Sequence, residues 1–293
     1  VTTALKITNL HIDLRTRAGM QPIVNGISLT LEKGRIHGLA GESGSGKTMT
    51  SLAVLGLLPE TMTASGSIVL APADGDGSGD IQLVTASRRT LNAVRGRRVA
   101  MVFQDPSMSL HPQIDVGKQL TDHVRHHLKL NKHEAMERAI ALLERVKVPD
   151  PKGALKKYPH QFSGGQRQRI AIAVALACDP DVLLADEPTT ALDVTVQAGV
   201  LQLLRDLVDD MGLSVLLVTH DLGVMSAVAD EVTVMRAGVV VESAPRQQLF
   251  TAPQHEYTKK LLAAMPGSSL EESLDTLLDD LLERPSSSPE DSQ

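Results

Sequence analysis

Apolar and polar residues alternate at the start of the chain. Ile7, Leu10, Ile12 and Leu14 mark residues 4–14, and Ile23, Val24, Ile27, Leu29 and Leu31 mark residues 23–31. A period near two belongs to half-buried strands, so two antiparallel strands are expected, turning near Gly19-Met20-Gln21-Pro22. Residues 35–40 form a short strand-like run, and 47–58 read as a helix. Residues 72–80 are turn-rich and low in complexity, which predicts a surface insertion within a hairpin. From about 106 to 176 the period lengthens: Ala135, Ile140, Leu143 and Val146 recur at helical spacings with charges between them. Residues 182–185 and 214–219 are β-branched or leucine-rich runs, the pattern of parallel strands buried on both faces, and 194–210 between them reads as a helix. Strand, helix and strand in succession imply an α/β sheet with right-handed crossovers and a ligand beyond the carboxyl ends of its strands.

The end of the chain has a different pattern. Leu270, Leu274, Leu277, Leu278, Leu281 and Leu282 fall on one helical face, with Glu271, Glu272, Asp275, Asp279, Asp280 and Glu283 around the rest. Such a face either packs back on its own domain or docks on a partner. Residues 285–293 are rich in Ser, Pro and acid, a composition expected to stay disordered.

With 293 residues, 42% of them hydrophobic, the chain can bury a large core. It has no Trp, two Tyr and three Phe, and its formal net charge is −6, so neither stacking platforms nor a basic excess points to nucleic acid. The one cysteine, Cys178, excludes an internal disulfide framework and any four-cysteine cluster, and sits in an apolar stretch as a small hydrophobe. No apolar run approaches the roughly 18 residues of a membrane-spanning helix, and the first ten residues do not read as a secretion signal.

Candidate chemistry begins at Gly41-Glu42-Ser43-Gly44-Ser45-Gly46-Lys47-Thr48, the G-x-x-x-x-G-K-[ST] phosphate-binding pattern, between a strand and a helix. Glycines let several backbone N–H groups converge, and the helix N-terminus adds to the anion cradle. Lys47 is expected to reach the β- and γ-phosphates and Thr48 to hold Mg²⁺. Residues 182–187 are a strand ending in two carboxylates, of which Asp186 suits the metal and Glu187 suits polarisation of an attacking water. Ser163, Gly164 and Gly165, followed by Gln166, open a helix over 166–177 and make a second anion site. One nucleotide has no use for two such sites in one chain. A dimer does, if the second site of one subunit closes on the γ-phosphate held by the other.

These motifs together resemble the nucleotide-binding subunits of ABC transporters. The resemblance rests on Gly41–Thr48, on Gln104 in Val102-Phe103-Gln104-Asp105-Pro106, and on Ser163-Gly164-Gly165-Gln166, where Phe162 replaces the commoner Leu. It continues through Asp186-Glu187, Ala191-Leu192-Asp193, and His220 in Val218-Thr219-His220-Asp221. Residues 249–262, with His255-Glu256-Tyr257-Thr258, are similar to the tail of the oligopeptide, dipeptide and nickel importer branch. The resemblance implies a P-loop NTPase core of mixed sheet with an antiparallel β subdomain and a helical subdomain. The resemblance stops near Pro266, short of the acidic leucine helix; the expected organisation is an ATPase domain over 1–250 (helical part about 106–176), a C-terminal helical extension of the peptide-importer type over 251–284 and a disordered tail over 285–293.

It further implies that two such domains sandwich ATP. Gly41, Ser43, Gly44, Ser45, Gly46, Lys47 and Thr48 would bind the nucleotide, and Thr48, Gln104 and Asp186 would attend Mg²⁺. Glu187 would act as base and His220 would steady the γ-phosphate, while Ser163, Gly164, Gly165, Gln166 and Asp193 would complete the partner's site. The implied partners are two permease subunits, a second, distinct ATPase and, indirectly, a capture protein, at the cytoplasmic face of a membrane. A soluble complex of the phosphonate-degradation type is the alternative.

Two features depart from the pattern. The family usually stacks adenine on an aromatic near the first hairpin, but residues 11–17 contain none, which leaves Arg15 or Arg17 to lie on the base. The C-terminal cysteine cluster of some relatives is missing from this sequence. His123, His126 and His127 share a helix face, read as an exposed polar face because only Asp122 offers a further ligand.

Overall fold

The computed structural model describes residues 2–72, 79–190 and 192–264. The chain runs β1 (Thr3–Thr16), β2 (Gly19–Glu32), β3 (Ile36–Ala40), α1 (Lys47–Val54), β4 (Met62–Leu70), β5 (Ile81–Gln82), α2 (Arg88–Val94) and β6 (Val99–Val102). A helical stretch follows: α3 (Pro106–Ser109), α4 (Val116–Leu128), α5 (Lys132–Arg145), α6 (Pro151–Ala154) and α7 (Gly164–Ala175). The chain then continues through β7 (Val182–Asp186), α8 (Val194–Met211), β8 (Ser214–Thr219), α9 (Leu222–Val228), β9 (Glu231–Arg236), β10 (Val239–Pro245), α10 (Arg246–Thr251) and α11 (Glu256–Ala263).

Two sheets form. One is antiparallel, in the order β2-β1-β4-β5; the other has the order β10-β9-β3-β8-β7-β6 and is parallel except for its β10 edge. The parallel strands carry side chains to both faces. Leu184, Leu216 and Val218 pack with Leu5, Leu10, Ile12 and Ile68 of the antiparallel sheet, while Leu183, Val215 and Leu217 pack towards α7 and α8. Burial on both faces is why these strands read as continuous apolar runs rather than alternating ones. The helical stretch closes on its own apolar residues, with Val116, Leu120 and Val124 of α4 against Ala135, Ala139 and Leu143 of α5.

Several boundaries differ from the sequence reading. The first hairpin turns at Arg17-Ala18, and Gly19 to Pro22 already belong to β2. The helix expected over 47–58 ends at Val54, because Gly56 takes φ +60° and Leu57 N donates back to Leu52 O at 2.9 Å. The helix expected from Gln166 starts at Gly164, since Ser163 and Gln166 form a capping box that draws the two glycines into the first turn. The hairpin around 72–80 exists as β4 paired with β5, but residues 73–78 lie outside the described residues. So does the leucine face at 270–284 together with 285–293. Cys178 is buried, and burial pushes its thiol up to about 11. Among the described residues no helix is long and apolar enough to cross a membrane.

Candidate functional site

The neighbouring strands β3, β8 and β7 end side by side, and everything after their carboxyl ends converges. Gly41 follows β3, Asp186 ends β7 with Glu187 after it, and His220 follows β8. Residues 41–46 wrap from β3 into α1. Gly41 tolerates no side chain: an added Cβ would stand 2.2 Å from Met235 O and 2.9 Å from Ser45 Oγ, at φ +150°. The loop is thus held tightly by the end of β9 and by the turn after it, where Gly238 N donates to Ser45 O at 3.2 Å.

Lys47 is buried and folds over its own loop, donating to Gly41 O at 2.6 Å and Glu42 O at 2.9 Å. Burial lowers its pKa, opposed by the charges of Glu187, Asp186 and Glu42. An ammonium bound to backbone carbonyls beside three carboxylates is a cation waiting for a stronger anion. Thr48 Oγ1 donates to Asp186 Oδ1 at 3.2 Å. Asp186 is buried, which raises its pKa; the Thr48 bond and Lys47 pull it back, and Glu187 pushes it up further. A hydroxyl and a carboxylate side by side are hard oxygen donors of the kind Mg²⁺ prefers.

Glu187 is the most constrained residue here. Its φ is +47°, rare for a residue with a side chain, and its N–H donates to Val218 O at 2.7 Å. Three groups grip the carboxylate: His220 Nδ1 lies 2.9 Å from Oε1, while Gln104 Nε2 and Thr190 Oγ1 donate to Oε2 at 3.0 and 2.9 Å. Burial would raise its pKa, but the His220 and Thr190 bonds, with the charges of His220 and Lys47, hold it below the usual carboxylate value. The side chain is therefore an anion with a fixed direction.

The structure brings Gly41, Ser43, Gly44, Ser45, Gly46, Lys47, Thr48, Gln104, Asp186, Glu187 and His220 to one edge. Ser163, Gly164, Gly165 and Gln166 sit elsewhere, at the start of α7 against α8: a Cβ on Gly165 would meet Val196 Cγ1 at 2.3 Å. Asp193 caps α8, accepting from Val196 N at 3.0 Å. Ala191 lies outside the described residues. Among the described residues no hydrogen bond or ion pair joins this second group to the phosphate loop. Arg15 and Arg17 are exposed near the end of the first hairpin. His123, His126 and His127 pack edge to face, with centroids 4.8 and 4.9 Å apart.

The sequence reading gave no separate role to Thr190. Its spacing of three from Glu187 carried the signal, since Thr190 N closes a turn on Glu187 O at 3.2 Å.

A phosphate loop facing a carboxylate pair across the ends of parallel strands makes this a P-loop nucleoside triphosphatase. The sequence profile described as "ABC transporter" matches residues 24–190. Dipeptide transport ATP-binding protein DppD of Bacillus subtilis (strain 168) is 44% identical over 268 residues, 91% of this chain and 78% of that protein. Oligopeptide transport ATP-binding protein OppD of the same organism is 44% identical over 278 residues, 94% of this chain and 75% of that one. The solved dimer of the ATP-binding cassette MJ0796 in a post-hydrolysis state, bound to ADP and Pi, superimposes with a TM-score of 0.70 at 26% identity, covering 83% of this chain and 98% of that one. The chain belongs to the ABC transporter family and is an ATP hydrolase of it.

Proposed function

We propose that this chain powers an importer of peptides or similar small solutes, as one of two ATPase domains that close around ATP. The observation that carries the hydrolytic part is the Glu187 carboxylate, held by His220, Gln104 and Thr190 within the charge field of Lys47. The transport part is supported by relatives named for dipeptide and oligopeptide transport, aligned over nine-tenths of the chain.

The residues present suit a nucleotide and Mg²⁺. Among the described residues the Ser45 hydroxyl is buried without a partner, and Lys47 donates to carbonyls of its own loop. A bound polyphosphate supplies both with acceptors. Thr48 and Asp186 would hold Mg²⁺, with Gln104 turning from Glu187 towards it; the ion's contribution is to neutralise charge on the β- and γ-oxygens. Lys47 swings from Gly41 and Glu42 to the phosphates. Glu187 orients a water and accepts its proton, and His220, hydrogen-bonded to Glu187, stabilises charge moving onto the γ-phosphate.

The amides around Ser163, Gly164 and Gly165, with Gln166 and Asp193, sit apart from the loop and act on nucleotide held by a second domain. ATP then favours the closed pair because only that state satisfies both anion sites, and hydrolysis releases it. The pair operates at the cytoplasmic face of a membrane. Its partners are two permease subunits and a second, distinct ATPase, with a capture protein acting indirectly.

The test is a mild detergent co-purification from native cells. Two multi-span subunits and a second ATPase are the expected companions. Soluble enzymes without them would leave the hydrolase but remove the importer.

A further inference from the structure

The start of α7 packs on the start of α8. A Cβ on Gly164 would come within 3.7 Å of Leu192 Cδ2, and one on Gly165 would strike Val196 Cγ1 at 2.3 Å. The next contact along is Arg169, four residues after Gly165 and so on the same face of α7. Its Nη2 donates to Gly199 O of α8 at 3.0 Å, and its Nη1 donates to Val146 O at the end of α5, also at 3.0 Å. Neither acceptor is a carboxylate. The guanidinium therefore works as a planar fork that ties three helices together, not as half of an ion pair.

The helix contact needs such a tie. Glycines at 164 and 165 let α7 and α8 approach closely, but they offer no side chain to interlock, so packing alone resists sliding weakly. Directional bonds to carbonyls on two other elements supply the restraint. Val146 O lies among the terminal carbonyls of α5, where the helix dipole also favours a cation. What Arg169 holds in register are two helix starts. One is the capping box of Ser163 and Gln166, and the other is the Asp193 cap, which accepts Val196 N at 3.0 Å.

We propose that Arg169 is a positioning residue for the second anion site: by bridging Val146 O and Gly199 O it fixes Ser163, Gly164 and Gly165 relative to Asp193, so that both groups reach a partner's nucleotide together. The proposal rests on the reading in which this site acts on ATP held by a second domain. It gives α5, within the helical stretch, a direct hold on the site, because a shift of α5 against α8 pulls the two prongs of one side chain apart.

The experiment uses the full chain carrying Glu187→Gln. ATP-driven pairing is followed by light scattering, the phosphate loop alone by calorimetric titration with ADP, and stability by melting. R169Q is expected to raise the dissociation constant of the ATP-bound pair about ten- to hundredfold while ADP affinity stays within about twofold. R169K should recover little of this, since one ammonium spans two carbonyls poorly. The decisive variant is G199A. Its methyl would stand 2.9 Å from Arg169 Nη2 and displace the flexible end of that side chain, while alanine suits a helix interior better than glycine. G199A is expected to melt no lower than its parent and still to pair about tenfold more weakly; added to R169Q it should weaken pairing no further. Parent-like pairing in G199A or in R169Q overturns the proposal. So does a loss of ADP affinity that keeps step with the loss of pairing, which is the mark of general damage to the fold. Failure of E187Q itself to pair with ATP would remove the two-domain reading, and the proposal with it, whatever the Arg169 variants do.

Discussion

His220 Nδ1 lies 2.9 Å from Glu187 Oε1, across the ends of two adjacent parallel strands. In the proposed function this pair is what separates a hydrolase from a nucleotide holder. The histidine fixes where the carboxylate points and, with Thr190, keeps it ionised.

Replacing Glu187 by Gln keeps the side chain's size while removing the proposed base. Turnover is expected to fall by ~10²–10⁴-fold, with ATP still bound. Light scattering with ATP should find a stable dimer of E187Q and a transient one of the parent. Normal turnover would reject the assignment.

Lys47→Ala acts on binding instead. It removes a charge-assisted donor worth about 1.5–3 kcal/mol, so the ATP dissociation constant is expected to rise roughly 10–100-fold. Equilibrium dialysis reads this directly, and an unchanged constant contradicts the role given to the loop.

Gly41→Ala and Gly44→Ala separate close packing from backbone freedom. Both glycines have positive φ, but a Cβ at 41 would meet Met235 O at 2.2 Å while one at 44 meets nothing within 4 Å. The backbone carbonyl at Met235 cannot rotate away. G41A is expected to cost about 1–3 kcal/mol and to lose nucleotide affinity, and G44A no more than about 1 kcal/mol. Chemical denaturation of the two variants measures the difference.

His37 predicts an acid sensitivity. It is buried in β3 with Nε2 2.8 Å from Thr233 Oγ1, and burial lowers its pKa to about 4, against an upward pull from the Thr30 backbone. Below about pH 6.5 the unfolded chain gains a proton here that the folded chain refuses. Stability is therefore lost as pH falls from 6.5 towards 4 and levels off below that, by an amount on the order of 3 kcal/mol. In His37→Gln the slope of stability over that window should flatten. A parent and variant with parallel slopes would show that His37 does not carry it.

The motifs that mark the site were legible because each is local. A glycine run between a strand and a helix, a carboxylate pair at a strand end, and a Ser and Gln three apart before a helix all act through their own backbone. The misplaced boundaries were legible only in part. Gly56 stops α1 early through its own left-handed turn, and Ser163 starts α7 early through its cap on Gln166 N. These are competitions between neighbouring bonds that periodicity does not weigh. Thr190 escaped a separate role, since a threonine three after a glutamate acquires one only from what folding places beside it.

The sequence by itself determined the elements and the ligand chemistry, because apolar period, turn residues and the phosphate loop depend on residues within a few positions of one another. The tertiary structure alone decided that β3, β8 and β7 end together, that Glu187 takes a left-handed backbone to face His220 and Gln104, and that the end of β9 and the turn after it press on the loop. Those relations depend on sheet order and on burial across distant segments, and no local pattern encodes which strands become neighbours.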